Sequence, residues 1–197
     1  MLSKIKNIPI VLGSQSPRRQ ELLKSLDIDF EVVVKSIDET ISSDIAVEFA
    51  SEYIALKKLE AFKTEEFYDS IVITADTVVV DHFGRALGKP KDVEEAKSIL
   101  CDLQDNTHIV FTGVAILFKD NFWSFTEKTQ VTFGKLSPNE IDYYVSVYKP
   151  FDKAGSYGIQ EWVGRVGIER IEGTYENVMG LPTRRLYKEL VKIEKGL

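Results

Sequence analysis

The sequence predicts an α/β protein built on a mixed sheet, and three observations carry that expectation. Short β-branched runs, 8–12 and Ile71–Val80 among them, alternate with segments whose apolar residues recur at helical spacing. Two long strand-like stretches, 108–118 and 121–134, meet at "KDN", the pattern of a hairpin. Helix-start signals then recur between strands: Asp92 has Glu95 three residues on, and Ser137-Pro138-Asn139-Glu140 repeats the spacing. Strands mixed with helices and a hairpin make a mixed sheet.

The elements follow in order. Residues 8–12 form a first strand, and the turn "GSQS" leads into a helix over 17–26. Ser16 is placed to cap that helix, Pro17 sits at its first position, and Leu22, Leu23 and Leu26 make its apolar face. A second strand covers 30–34. Val47, Ala50, Ile54, Leu56 and Leu59 suit a long helix over 44–63. Ile71–Val80 is a buried strand interrupted by "TADT", and the helix opened by Asp92 comes next. The hairpin is followed by a helix ending near Tyr148, a strand over 165–171, a glycine-rich passage and a helix over 182–193.

Length and composition bound the rest. A chain of 197 residues suits one domain, 1–197, and no repeat or low-complexity linker divides it. The N-terminal apolar stretch is too short for a leader, and no run approaches the ~18 residues that cross a bilayer. One cysteine and two histidines build neither an internal disulfide nor a histidine-rich metal cage, which fits a cytoplasmic protein. The net charge of −6 argues against broad nucleic-acid binding. Cys101, beside Leu100 and Leu103, reads as a core residue, His108 as a structural hydrogen-bonder, and Lys57, Lys58 and Lys63 as solvated helix faces.

GxxxxGK[ST], GxGxxG, HExxH and GxSxG are all absent. Three basic groups nonetheless stand beside Gly or Pro at loop positions: "GSQSPRR" with Arg18 and Arg19, "LGKPK" with Lys89 and Lys91, and "FDKAGSYGIQ" with Lys153. Arginines in a first helical turn oppose the helix dipole, a cost that makes sense where an anion lies between them and the helix end. Ordinary capping with outward arginines is the other reading. Asp38 and Glu39 follow the second strand, and Asp76 lies inside an apolar one. A carboxylate there is costly to bury unless a cation or a metal pairs with it, and both partners are open. Carboxylates beside several cations are equipment for phosphoanhydride chemistry: charge is neutralised, oxygens are bridged by a hard divalent ion, and a carboxylate activates water.

Five segments, "GSQSPRRQELL", "ADTVVV", "LGKPKD", "DKAGSYGIQ" and "NVMGLP", in this order and at these separations, resemble the Maf family of nucleotide pyrophosphatases over nearly the whole chain. The resemblance implies a single elongated domain with a twisted mixed sheet flanked by helices, two lobes around a cleft, and the fold of inosine triphosphate pyrophosphatases. It implies hydrolysis of a nucleoside triphosphate between the α- and β-phosphates with Mg²⁺ or Mn²⁺, and a homodimer; the expectation of neither nucleic-acid nor membrane partners comes from the charge and the short apolar runs. "DKAGSYGIQ" resembles the branch acting on dTTP and UTP. The alternatives are a 7-methyl-GTP or broader modified-nucleotide pyrophosphatase, and a non-catalytic nucleotide-binding regulator of septum formation.

By the same resemblance Asp76 is the proton acceptor, Asp76 and Glu39 hold the metal, and Lys89 joins them in catalysis. Ser14, Arg18, Arg19, Thr77, Lys153 and Gln160 bind substrate, with Arg18, Thr77 and Gln160 at the specificity positions. Gln160 offers both a donor and an acceptor, which suits a pyrimidine edge. Two residues depart from the family pattern: Gly13 stands where alanine is usual, and Glu161 where glycine is common. The second places an extra carboxylate beside the expected base-recognition residue.

Overall fold

A computed structural model describes residues 2–42 and 44–196. Met1, Ser43 and Leu197, which the single-domain expectation covers, lie outside the described residues. The elements run β1 (Ile10–Leu12), α1 (Pro17–Lys24), β2 (Glu31–Val32), α2 (Val47–Glu60), β3 (Ile71–Val80), β4 (Ala86–Leu87) and α3 (Val93–Leu103). They continue β5 (Thr107–Phe118), β6 (Asn121–Phe133), α4 (Pro138–Tyr148), α5 (Trp162–Val166), β7 (Ile168–Glu172), α6 (Tyr175–Met179) and α7 (Thr183–Gly196). Among the described residues seven strands form one sheet in the order β2-β1-β3-β5-β6-β7, with β4 paired to β3. β1 is parallel to β2 and to β3, while β4 on β3 and β7 on β6 are antiparallel, so the mixed sheet expected from the sequence is present.

The chain divides into two compact units. One comprises Met1–Asp76, Thr112–Glu127 and Gly180–Leu197, and the other Thr77–Phe111 and Lys128–Met179. In the first, α2 packs Ala55, Leu59 and the following Phe62 onto Val11 of β1, Val72 of β3, and Ala115 and Leu117 of β5. Thr74 Oγ1, buried in β3, donates to the Ala55 carbonyl at 2.7 Å. The approach of α2 to β5 is closer than any side chain permits: a Cβ on Gly113 would lie 2.2 Å from the Glu52 nitrogen. Glycine at 113 is therefore what seats α2 at its depth.

In the second unit α3 packs on α4, and Leu100, Leu103, Ile141, Tyr144 and Val145 are buried. Asp92 accepts a hydrogen bond from the Glu95 amide, and Ser137 and Glu140 form a complete capping box. The turn after α4 is closed by Lys149 in the left-handed region, at φ 47°. Among the described residues no helix is long and apolar enough to cross a membrane.

Several boundaries differ from the sequence expectation for local reasons. β1 begins at Ile10 because Ile5–Asn7 winds into a 3-10 turn whose carbonyl at Ile5 takes the Ile8 amide. The expected strand over 165–171 loses its first residues to α5. Gly164 allows that, since a Cβ there would stand 2.0 Å from the Ile159 carbonyl oxygen. Cys101 is exposed, not core. The buried stripe of α3 runs Ala96, Leu100, Leu103, and one residue's turn of about 100° carries Cys101 off it. The short α6 went unpredicted; it is anchored by buried Asn177, whose Nδ2 donates to the Val110 carbonyl and to Thr129 Oγ1.

Candidate active site

In the first unit, β1 delivers "GSQSPRR" at its C-terminal end. Gly13 continues the parallel ladder by donating to the Ile73 carbonyl at 2.8 Å. A Cβ there would meet Thr74 Cγ2 at 2.8 Å and the Phe62 ring at 3.0 Å, so alanine would need those side chains to give way. Ser16 is the N-cap residue of α1 but makes no side-chain cap, contrary to the expectation. Its amide instead donates to Ser14 Oγ at 3.3 Å, and the hydroxyl of Ser14 turns inward. The first turn of α1 carries no acidic residue, and Arg18 stands there half-buried.

Arg19 is fixed by backbone. Its Nε donates to the Gly180 carbonyl and its Nη1 to the Ala75 carbonyl, each at 2.8 Å, with Ser14 Oγ 3.3 Å from Nη1. One guanidinium thereby joins the β1–α1 loop, the residue before Asp76, and the turn before α7. Burial pushes its pKa down, with the Asp76 charge acting in the opposite direction.

Beside it lies a lysine flanked by two carboxylates. Lys58 Nζ on α2 stands 2.8 Å from Glu39 Oε1 and 2.8 Å from Asp76 Oδ1. Lys58 and Asp76 are largely sheltered, at 16% and 20% side-chain exposure, whereas Glu39 is 56% exposed on the irregular segment after β2. Asp38 faces away and caps its own turn by accepting from the Thr40 amide and hydroxyl, which holds its pKa below the ordinary value. Lys58 was expected on a solvated face, and the structure corrects that. The signal was in the helical period: 51, 54, 55, 58 and 62 share one stripe, and Ser51, Ile54, Ala55 and Phe62 are buried. Asp76, in an apolar strand, required a cation from some element packed on β3.

In the second unit, "DKAGSYGIQ" packs on "LGKPK" and on β3. Gly155, at φ 73°, donates its amide to the Gly88 carbonyl at 3.2 Å, and a Cβ on it would touch Val79 at 3.0 Å. Lys89 itself is exposed, and Thr77 is half-buried in β3. Lys153 is buried between two carboxylates, 2.7 Å from Asp152 Oδ1 and 3.1 Å from Glu161 Oε1. Glu161 also accepts from the Tyr144 hydroxyl, and that hydroxyl accepts from the Gly158 amide at 3.0 Å. Burial, helped by Glu161, pushes the Tyr144 phenol upward, so it stays a donor. Gln160 presents a buried Oε1 with no hydrogen-bond partner among the described residues.

His108 keeps the structural place expected of it: its Nε2 pairs with the Tyr157 hydroxyl at 2.7 Å, deep under Phe133. Trp162 packs edge-on against Tyr143. Of the expected site residues in the first unit, Ser14 lies on Arg19, and Glu39 and Asp76 meet on Lys58. Lys153 and Gln160 belong to one loop in the second.

Fold and geometry together define a mixed α/β protein in which α1 starts without a side-chain cap from Ser16 and in which Asp76 and Glu39 share one ammonium group. The chain belongs to the Maf family: the model for "Maf-like protein" matches residues 9–193. It is 49% identical over 191 residues, 96% of this chain and 98% of the relative, to a Parabacteroides distasonis protein named dTTP/UTP pyrophosphatase. A Phocaeicola vulgatus protein of the same name is 47% identical over 195 residues, covering 98% of this chain and all of its own length. The Staphylococcus aureus Ham1 protein shares the fold, with a TM-score of 0.52 at 16% identity over 92% of this chain and 99% of that one.

Proposed function

We propose that this protein hydrolyses dTTP and UTP to the nucleoside monophosphate and pyrophosphate. The single observation that carries the chemistry is the convergence of Glu39 and Asp76 on one cationic point, 2.8 Å from each. The names of relatives 47–49% identical over almost the whole chain support the substrate. Gln160 supports it further, since a buried acceptor without a partner among the described residues calls for an N–H, which uracil and thymine offer at N3.

The donor set also fits a hard divalent cation. Two carboxylate oxygens already point at one positive charge, and Mg²⁺ is ordinarily held by one or two carboxylates, with substrate phosphates and water filling the rest. Among the described residues no group of three or more His, Cys, Asp or Glu side chains could hold a metal, so this pair would rely on the nucleotide to complete its ligands. Asp76 and Glu39 would hold Mg²⁺ or Mn²⁺, which when bound polarises phosphate oxygens and acidifies water.

The chain's own groups then have assignable tasks. Asp76 takes the proton of a water that attacks the α-phosphorus. The α–β bridging oxygen leaves with the pyrophosphate. Ser14, Arg18 and the positive end of the α1 dipole bind phosphate oxygens, and Arg19 keeps that end of α1 and the Ala75 carbonyl in register. Lys89 contributes charge to catalysis, and Thr77 and Lys153 contact substrate. In the same proposal the protein is a cytoplasmic homodimer that binds neither nucleic acid nor membrane.

Pyrophosphate release from dTTP, UTP, CTP, GTP and 7-methyl-GTP, with and without Mg²⁺ or Mn²⁺, tests this. Fast, metal-dependent release from dTTP and UTP is expected. Activity centred on 7-methyl-GTP would overturn the substrate, and no release from any triphosphate would overturn the reaction.

A further inference from the structure

Glu161 is a residue that the pyrophosphate chemistry does not use. Its carboxylate is nonetheless the most connected group of its loop: Oε2 accepts from Tyr144 and Oε1 lies 3.1 Å from Lys153 Nζ. Tyr144 is wholly buried on α4, and its hydroxyl oxygen also takes the Gly158 amide. The turn from 158 to 161 is thus pinned at both ends to one phenol, and it closes on itself through the Glu161 amide and the Gly158 carbonyl at 3.0 Å. A Cβ on Gly158 would lie 2.8 Å from Glu161 Cδ, so a side chain there would displace the Glu161 carboxylate. Gly164 in turn lets α5 press on the Ile159 carbonyl. Gln160 sits inside this pinned turn, and its buried amide oxygen has no hydrogen-bond partner among the described residues.

We infer that Glu161 and Tyr144 form a clamp that positions Gln160, fixing its amide oxygen as an acceptor for the N3–H of a uracil or thymine base and against cytosine. This rests on the proposed action on dTTP and UTP. Cytosine carries an acceptor at N3, so a rigid acceptor facing it leaves two lone pairs opposed and unsatisfied. A loose glutamine could rotate its amide and accept cytosine, whereas a clamped one discriminates. Glu161 is a positioning residue in this scheme: it acts on the base through Gln160, and the bond it accepts from the Tyr144 phenol is what holds the turn.

Three variants and two readouts test the clamp. Tyr144→Phe and Glu161→Ala each remove the bridge, whereas Glu161→Gln keeps an acceptor for the phenol. The ratio of kcat/KM for UTP over CTP is expected to fall about tenfold in the first two, mainly through the KM for UTP, and to hold in Glu161→Gln. Amide hydrogen exchange at Gly158 is expected to quicken in Tyr144→Phe and Glu161→Ala only, a readout independent of substrate. Unchanged exchange at Gly158 in Tyr144→Phe would overturn the clamp. Faster exchange with an unchanged UTP-to-CTP ratio would overturn its role in base choice. Failure of the wild-type protein on every triphosphate would strike the proposed function instead, while the exchange result still decides the clamp.

Discussion

Lys58 reaches Asp76 across eighteen positions of sequence, Nζ to Oδ1 at 2.8 Å, and with Glu39 on its other side the ammonium stands between two carboxylates. This arrangement keeps a carboxylate stable within an apolar strand, and it gathers the groups the proposed reaction requires.

Asp76→Asn retains shape and a polar contact to Lys58 but accepts no proton. Pyrophosphate release from UTP should fall by at least about 100-fold while the melting temperature stays near that of the wild type. Near-normal turnover would remove Asp76 from the role of base.

Lys58→Ala takes away the positive charge that shares the carboxylates with the proposed metal. Mn²⁺ binding to the nucleotide-free protein, followed by electron paramagnetic resonance, should tighten by on the order of tenfold, about the free energy of one partly sheltered ion pair. Unchanged Mn²⁺ affinity would mean that metal and ammonium do not share Glu39 and Asp76.

Gly113→Ala tests the seating of α2. The new methyl would fall on the Glu52 backbone, so the helix must lift. Urea unfolding should register a loss of about 3 kcal/mol, and turnover should drop with it because Lys58 rides on the same helix. A stable, fully active alanine variant would separate the helix depth from the site.

His108 supplies a pH dependence of stability. Burial lowers its pKa from 6.5 to about 4, with the Tyr157 hydroxyl on Nε2 and Phe133 across its face. The unfolded chain then binds the proton more readily than the folded one, so stability is complete above about pH 6.5 and is lost as the pH falls toward 4. The loss is on the order of 3 kcal/mol. His108→Gln should flatten this part of the urea midpoint against pH; an equally steep curve in the variant would assign the slope to other groups.

Element types were largely legible in the sequence because their signals are local. Asp92 with Glu95, Ser137 with Glu140, and the β-branched run at Ile71–Val80 each declare a structure within a few residues. What escaped depends on packing. Lys58 reads as a surface residue until α2 is known to lie against β3. Cys101 differs from Leu100 only by one step around a helix, and α5 exists where a strand was expected because Gly164 admits the Ile159 carbonyl. The candidate site was legible as residue types in loops and as a family resemblance, while the partners of Arg19 and Glu161 lie too far along the chain for spacing to reveal.

Arg19 carries a consequence for the timing of biogenesis. Its acceptor at Gly180 lies 161 positions downstream, and the unit around it takes in the segment from Gly180 onward. A nascent chain halted before that point holds a guanidinium whose Nε lacks its carbonyl and a unit without α7. Translation itself therefore withholds the finished end of α1, where phosphate binding is proposed, until nearly all of these residues have been made, and prematurely terminated products are expected to release no pyrophosphate from UTP.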